Sequence, residues 1–156
     1  MIKAILSDFS ETLLFPKHME NHHNLNGLHH RLVEEFGSYN AWDYFILNEE
    51  LLGFYKTLKP KIPLYLFTTD SVQDQPQIQE RLMEIFNEII SAKTYNINKK
   101  TPDAYEFIAQ KINLKPEEIL FIDDRDVNLE PAAKAGVKTL QYENNEKLFK
   151  DIQNYL

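Results

Sequence analysis

The sequence opens with Met1-Ile-Lys-Ala-Ile-Leu-Ser-Asp8-Phe-Ser-Glu-Thr12-Leu-Leu14, in which a short apolar run stops at an aspartate. The run over residues 2–6 predicts a strand that is buried on both faces, as the strands of parallel sheets are. Asp8 then has two interpretations. It is either the N-cap of a turn or a reactive carboxylate at the end of the strand.

A second stretch repeats this pattern: Glu118-Ile-Leu-Phe-Ile-Asp123-Asp124-Arg-Asp-Val-Asn128. Because parallel strands end at one edge of their sheet, Asp8 and the pair Asp123 and Asp124 converge there if the two strands are neighbours. Converging carboxylates repel one another, and a divalent cation with oxygen ligands relieves that repulsion. Mg²⁺ is the cation that such ligands favour. The two stretches together predict a magnesium site.

Composition limits the kinds of protein that this chain can be. Its 156 residues, 43% of them hydrophobic, suit one domain with a full core. A net charge of −7 argues against a broad nucleic-acid surface, so small molecules or proteins are the expected partners. The absence of cysteine excludes disulfides and thiolate catalysis. No apolar run has transmembrane length and no signal peptide is evident, so we expect no membrane association and a cytoplasmic location.

The remaining pattern alternates strands with helices, which predicts an α/β fold with a doubly wound parallel sheet. Four more strands are expected at residues 64–67, 88–91, 119–122 and 137–142, and Asn48 is expected to cap a helix over residues 49–58. Residues 41–47 are expected to form a short helix. The second strand ends at Thr68, whose hydroxyl either donates to a phosphoryl oxygen or caps the next helix.

All five histidines lie in one segment between His18 and His30. His18 and His22 would share a face if that segment were helical, which is a spacing that metal sites use. Asn and Gly interrupt the segment, however, and no carboxylate lies at a matching spacing. We therefore expect a solvated loop or flap, with a specific metal site as the alternative.

The chain resembles the haloacid dehalogenase-like hydrolase superfamily, whose members are mostly Mg²⁺-dependent phosphatases. Four elements follow the family's order, and the last of them, from residue 119 to residue 136, is the most specific. The four are Asp8-Phe-Ser-Glu-Thr-Leu for the family's Asp-x-Asp-Gly-Thr-Leu, Thr68 after an apolar strand, Lys100-Thr-Pro-Asp for its Lys-Pro-Asp turn, and Asp123-Asp124 with Asn128.

The resemblance implies a Rossmann-like sheet with strands in the order 5-4-1-2-3. It implies that Asp8 is the nucleophile that forms an aspartyl-phosphate, and that Asp8, the Ser10 carbonyl oxygen and Asp124 hold Mg²⁺. Asp123 or Asn128 would act through water or behind the metal ligands. Thr68 and Lys100 would hold the phosphoryl group, and Thr101 stands where the family usually has that lysine, so Lys99 is the alternative to Lys100.

Ser10 is the main departure from the family pattern. The family's phosphatases have an aspartate there that protonates the leaving group, and a serine hydroxyl has too high a pKa to replace it. The backbone oxygen that binds the metal is retained. A loss of the acid costs about a hundred- to ten-thousandfold in rate, so we expect slow phosphoryl transfer.

The segment that would form the family's cap is short. We expect a single domain over residues 1–156, with residues 15–48 as a reduced cap or flap. An open site of this kind either accepts a bulky substrate or is completed by a second subunit of a homo-oligomer.

Two hypotheses for the function remain open. The first is an enzyme, a Mg²⁺-dependent phosphatase or phosphotransferase that acts through Asp8 on a phosphorylated small molecule or protein. The second is a catalytically impaired member that binds such a ligand without turnover. Ser10 is the residue that distinguishes them.

Overall fold

The computed structural model describes residues 1–156 as a parallel five-stranded sheet with helices on both faces and a small antiparallel pair of strands at one end. Its strands are, in chain order, β1 Ala4–Ser7, β2 Leu14–Pro16, β3 Phe45–Leu47, β4 Leu64–Thr68, β5 Glu88–Ser91, β6 Ile119–Asp123 and β7 Lys138–Gln141. Its α-helices are α1 Leu25–Phe36, α2 Glu49–Leu58, α3 Pro76–Met83, α4 Ala92–Tyr95, α5 Pro102–Lys111, α6 Asp126–Lys134 and α7 Asn145–Asp151.

The main sheet has the order β5-β4-β1-β6-β7, and every neighbouring pair in it is parallel. The predicted order 5-4-1-2-3 is therefore confirmed, since the five expected strands correspond to β1, β4, β5, β6 and β7. The central strand is β1, where Ile5 pairs with Leu64 of β4 and Leu120 of β6. This arrangement brings the ends of β1, β4 and β6 to one edge of the sheet.

The sheet separates two hydrophobic clusters, and successive residues of β1 contribute to opposite ones. Ile5 belongs to the larger cluster, which the side chains of α1, α2, α3 and α7 complete. Leu6 belongs to the smaller cluster, with side chains from α5 and α6. Both residues are buried, as the run over residues 2–6 predicts for a strand that is covered on both faces.

The insert after β1 begins and ends in the antiparallel pair of β2 and β3, in which Leu14 pairs with Leu47. The predicted helix over residues 41–47 is wrong, because only Ala41–Asp43 form a helical turn, of the 3-10 type, and β3 follows it. The reason lies in the pattern of burial. Phe45 and Leu47 are buried while Ile46 between them is 50% exposed, which is the period of two of a strand.

Asn48 connects the insert to the sheet. Its side-chain oxygen accepts a hydrogen bond from the N–H of Leu51 at 3.2 Å, which confirms the predicted cap of α2. Its amide group donates to the carbonyl oxygen of Thr12 at 3.1 Å. The loop that follows β1 is thereby fixed to the start of α2.

Among the helices of the chain, none combines the length and the apolar character needed to cross a membrane.

Candidate active site

Three carboxylates meet at the edge of the sheet where β1 and β6 end. Ser7, the last residue of β1, pairs with Ile122 of β6. Asp8, which follows β1, therefore lies beside Asp123, the last residue of β6. Oxygen atoms of Asp8, Asp123 and Asp124 lie within 4.8 Å of one another. The structure thus brings together the aspartates that the two sequence stretches placed at one edge.

Lys99 supplies the positive charge at this cluster. Its ammonium nitrogen lies 2.6 Å from Oδ1 of Asp8 and 3.2 Å from Oδ2 of Asp123, and it donates to the carbonyl oxygen of Phe67 at 3.1 Å. Burial alone would lower the pKa of Lys99, but the charges of Asp8 and Asp123 outweigh it and raise that pKa. The lysine is therefore charged over the whole physiological range of pH.

Of the two lysines that the sequence offered for the phosphoryl group, Lys100 and its alternative Lys99, the structure places Lys99 at the carboxylates. The side chain of Lys100 is exposed and makes no hydrogen bond or ion pair. The turn before α5 explains the difference. The hydroxyl of Tyr105 lies 2.8 Å from the carbonyl oxygen of Lys99 and 2.9 Å from that of Asn128, which fixes the backbone of Lys99 against α6. The N–H of Lys100 donates to the side chain of Asn98 at 3.0 Å, so the chain turns outward there.

Both carboxylate oxygens of Asp123 have partners within the protein. Its carboxylate accepts hydrogen bonds from the amide of Asn128 at 3.0 and 3.2 Å and from the N–H of Arg125 at 2.9 Å, besides its contact with Lys99. Burial, followed by the charge of Asp8, raises the pKa of Asp123 against the opposing effect of Lys99. With these bonds made, Asp123 and Asn128 hold the lysine and the start of α6 in place.

Asp124 differs from Asp123 because one of its buried oxygens, Oδ1, has no hydrogen-bond partner. Burial, together with the charges of Asp8 and Asp123, raises the pKa of Asp124 to about 7. The carbonyl oxygen of Ser10 also accepts no hydrogen bond within the chain. A buried carboxylate oxygen without a partner, beside a second carboxylate and a free carbonyl, is a donor set that fits a divalent cation.

The cavity above these groups has a volume of about 220 Å³ and a polar lining, of which Leu25 is the one hydrophobic member. Asp8, Ser10, Lys99, Asp124 and Asn128 all contribute to it. Asp8 is held at its floor by Lys99 on Oδ1 and by the hydroxyl of Thr12, which donates to Oδ2 at 3.3 Å. One carboxylate is thus presented to the cavity in a fixed orientation.

Thr69 lines this cavity, whereas Thr68 does not. The side chain of Thr68 is buried, and its hydroxyl donates to Oε1 of Gln73 at 3.1 Å. Successive residues of a strand face opposite sides, so Thr68 lies on the same side of β4 as Leu66 of the larger cluster, and Thr69 follows the end of the strand. The structure therefore places Thr69 at the cavity, and not Thr68, for which the sequence predicted a phosphate contact.

Glu11 connects the active-site loop to the histidine-containing segment. Its carboxylate contacts Nδ1 of His22 at 2.9 Å and accepts from the N–H of His23 at 2.8 Å. Glu11 and His23 both have positive φ angles, 62° and 59°. Because such angles are unfavourable for residues with a Cβ, these contacts hold the two loops in a conformation that neither would prefer alone. One wall of the cavity consequently comes from His23 and Asn24.

None of the histidines belongs to a group of three or more potential metal ligands. The three aspartates are the one group of three or more potential ligands that the structure brings together. His29 contacts the hydroxyl of Tyr39 at 2.7 Å, and His30 contacts Asp70 at 3.0 Å. The segment over residues 18–30 instead includes a short 3-10 turn and the first half of α1.

Comparison with known proteins agrees with this geometry. A family model described as haloacid dehalogenase-like hydrolase matches residues 15–136. Enolase-phosphatase E1 from Persephonella marina is 34% identical over 90 residues, which are 54% of this chain and 39% of that protein. Enolase-phosphatase E1 from Methylococcus capsulatus is 36% identical over 87 residues, which are 50% of this chain and 36% of that protein. Each match spans less than two fifths of the relative's own length.

Solved structures share the fold at low identity. A HAD family enzyme from Bacteroides thetaiotaomicron, in complex with magnesium and inorganic phosphate, has a TM-score of 0.72 and 15% identity, with coverage of 96% of this chain and 100% of that one. A HAD-superfamily hydrolase of subfamily IA from Geobacter sulfurreducens has a TM-score of 0.71 and 19% identity, with coverage of 97% and 100%. With the sheet order, the converging aspartates and the family model in agreement, the chain belongs to the haloacid dehalogenase-like hydrolases.

Proposed function

We propose that the protein is a Mg²⁺-dependent phosphatase or phosphotransferase in which Asp8 is the nucleophile. The observation that carries this proposal is the position of Asp8, whose carboxylate is fixed between Lys99 and the unpartnered oxygen of Asp124 at the floor of a polar cavity. The names of the curated relatives support a phosphatase. The Bacteroides thetaiotaomicron enzyme, described with magnesium and inorganic phosphate, supports the same pair of ligands.

Asp8, the Ser10 carbonyl oxygen and Asp124 would hold the metal, because all three residues line the cavity and neither the Ser10 carbonyl oxygen nor Oδ1 of Asp124 has a hydrogen-bond partner in the protein. When bound, Mg²⁺ offsets the negative charge of the carboxylates and of the phosphate, which must approach each other. Asp123 takes no direct part, since Asn128, Arg125 and Lys99 already occupy its oxygens. It keeps the ammonium of Lys99 at the site.

The reaction begins when an oxygen of Asp8 attacks phosphorus. The bond between phosphorus and the leaving oxygen breaks, and that oxygen departs with the electron pair. Lys99 and Thr69 donate hydrogen bonds to oxygens of the phosphoryl group during this transfer. Water then attacks the phosphorus of the aspartyl-phosphate, which releases phosphate and restores the carboxylate of Asp8. In the phosphotransferase reaction, an acceptor hydroxyl takes the place of this water.

Ser10 sets the rate of this reaction. Its side chain lines the cavity but carries no carboxyl group to protonate the leaving oxygen. Esters with poor leaving groups, such as alkyl phosphates, are therefore hydrolysed slowly. Aryl and acyl phosphates are better substrates, because their leaving oxygens need less protonation.

The same residue favours a second function, the binding of a phosphorylated small molecule or protein without turnover. The metal ligands and Lys99 do not depend on the side chain at position 10, so a protein with Ser10 retains everything needed to bind a phosphate group. Turnover is what separates the two functions.

The test compares the wild type with Asp8→Asn, using Asp126→Asn as the matched control because Asp126 is an exposed carboxylate at the start of α6. Each protein is incubated with Mg²⁺ and a panel of alkyl, aryl and acyl phosphates, and released phosphate is measured. We expect release by the wild type and by Asp126→Asn, and none by Asp8→Asn. Equal release by all three proteins would contradict the proposal. No release by the wild type, with Mg²⁺-dependent binding of phenyl phosphate, would support the second function.

A further inference from the structure

A second cavity adjoins the one that contains Asp8. It has a volume of about 420 Å³ and lies between the start of α4, the turn before α5 and the start of α6. The two cavities share four lining residues, Thr69, Lys99, Arg125 and Asn128. The two cavities are therefore neighbours, and the second lies within reach of a molecule bound at Asp8.

The two cavities differ in charge. Three carboxylates, those of Asp8, Glu11 and Asp124, line the first cavity beside the shared Lys99 and Arg125. Every charged residue that lines the second is a cation: Lys93, Lys99, Lys100 and Arg125. This grouping is unusual in a chain whose net charge is −7. Cations along one wall of a cleft concentrate anions at that wall, and they do so against the negative potential of the rest of the protein.

Two of these four cations are already paired within the protein. Lys99 is bound by Asp8 and Asp123, and Lys93 lies 3.2 Å from Oδ1 of Asp70. Lys100 and Arg125 form no ion pair, and their side chains make no hydrogen bond. Two unpaired cations therefore face the same cavity, next to the position where the phosphoryl group is transferred.

We propose that Lys100 and Arg125 bind a second anionic group of the substrate, a carboxylate or a second phosphate, while its reacting phosphate lies at Asp8. The substrate class is thus a phosphate monoester that carries another acidic group. This inference rests on the proposed function for the identity of the reacting phosphate. All four cations of the second cavity follow the insert in the chain, so this recognition does not depend on residues of the insert.

Two probes test this proposal, phenyl phosphate and 3-carboxyphenyl phosphate, which differ by one carboxylate that cannot be hydrolysed. The kcat/KM of each is measured with Mg²⁺ for the wild type and for the double variant Lys100→Ala/Arg125→Ala. We expect the ratio of the two kcat/KM values, carboxylated over plain, to fall about fivefold in the double variant. The intrinsic difference between the two leaving groups cancels in this comparison, and so does any loss of folded protein.

A control variant removes the same charge elsewhere. Lys61→Ala/Lys134→Ala takes two exposed lysines that line none of the cavities described here. Its ratio is expected to match that of the wild type. An equal fall in both double variants would mean that net charge is responsible, and an unchanged ratio in Lys100→Ala/Arg125→Ala would also overturn the proposal.

Calorimetry with Asp8→Asn in Mg²⁺ provides a measurement that does not depend on turnover. We expect this variant to bind 3-carboxyphenyl phosphate about fivefold more tightly than phenyl phosphate, and to lose that preference when Lys100 and Arg125 are also replaced by alanine. If the wild type hydrolyses neither probe but the binding preference is present, the proposed hydrolysis fails and the second anion site stands. Equal binding of the two probes would overturn the site.

A free anion could bind to Lys100 and Arg125 in place of a second group of the substrate. Hydrolysis in the presence of acetate distinguishes these two cases. If acetate stimulates the hydrolysis of phenyl phosphate while the carboxylated probe has no advantage, the cavity binds a free anion and the proposal is overturned. If acetate only competes with the advantage of the carboxylated probe, the second group of the substrate is the occupant.

Discussion

The ammonium nitrogen of Lys99 lies 2.6 Å from Oδ1 of Asp8, and the two side chains are only 5% and 8% exposed. A charged pair this well buried gains little from water, so each partner depends on the other and on the hydrogen bonds around them. Removal of one partner would leave a buried charge unpaired, and the pair also orients the carboxylate that we propose as the nucleophile. The same contact therefore affects both stability and activity.

Lys99→Met is expected to lower both the stability and the activity of the protein. It leaves Asp8 and Asp123 without their cation, which lowers the free energy of unfolding by about 3 kcal/mol at neutral pH, as measured by urea denaturation. Phosphate release should fall at least about a hundredfold. Lys100→Met changes the free energy of unfolding by less than about 0.5 kcal/mol. A larger loss of stability in Lys100→Met than in Lys99→Met would contradict the assignment of Lys99.

Thr68 and Thr69 form a matched pair of neighbours with different surroundings. Thr69→Val removes the hydroxyl that faces the cavity, so we expect a several-fold higher KM for phenyl phosphate, with the free energy of unfolding little changed. Thr68→Val leaves the buried Oε1 of Gln73 without its donor and should lower the free energy of unfolding by about 1 kcal/mol. Steady-state kinetics and urea denaturation on both variants separate the two roles, and an exchange of the two results would refute the assignment.

Asp124 should make the stability of the metal-free protein depend on pH. Its pKa is raised from 3.8 to about 7 in the folded protein, so the folded chain retains a proton that the unfolded chain releases. The free energy of unfolding therefore falls as pH rises from about 4 to about 7. Asp124→Asn, which does not titrate, should show a smaller fall over this range when both proteins are denatured by urea with chelator present. Asp126→Asn keeps the wild-type dependence.

Addition of Mg²⁺ should oppose that fall. The carboxylate of Asp124 must lose its proton before it can act as a ligand, so we expect Mg²⁺ to raise Tm more at pH 8 than at pH 5.5. Asp124→Asn should show little Mg²⁺-dependent shift at either pH, while Asp126→Asn shifts as the wild type does. An equal shift in Asp124→Asn and the wild type would place the metal elsewhere.

Ser10→Asp should restore the missing acid. If only that acid is lacking, hydrolysis of an alkyl phosphate should rise by about a hundredfold or more, with a smaller rise for phenyl phosphate. Ser10→Asn has nearly the same shape but no acidic proton, so it is the control and should remain slow. Initial rates of phosphate release with the two substrates decide the matter, and a rate in Ser10→Asp no higher than in Ser10→Asn would mean that another step limits turnover.

Much of the fold could be predicted because the sheet depends on strong local patterns. The apolar runs that end at Asp8 and Asp123 identify the central strands, and the alternation with helices indicates parallel pairing. The prediction of a helix over residues 41–47 was wrong because a run of aromatic residues fits both the 3.6-residue period of a helix and the two-residue period of a strand. The pairing of β2 with β3, which decides between them, depends on residues far apart in sequence.

The site was harder to place at the level of single residues. The sequence contains adjacent residues of the same type, such as Lys99 and Lys100 or Thr68 and Thr69. Nothing in the sequence indicates which residue of each pair faces the cavity. The choice depends on how the backbone is held, by Tyr105 in one case and by the direction of β4 in the other. The contacts of Glu11 with His22 and His23 could be suspected only from the glutamate that replaces the family's glycine.

The antiparallel pair of β2 and β3 has a consequence for how this protein could change. Since Leu14 pairs with Leu47, the insert begins and ends at one place, where β2 and β3 lie side by side. The segment between Pro16 and Phe45 can therefore change without moving the two strands, but the loop that carries Asp8 keeps its conformation only if the contacts of Glu11 with His22 and His23 are kept. Engineers who graft a new lid at this junction would have to carry over His23 and Asn24, which form one wall of the cavity.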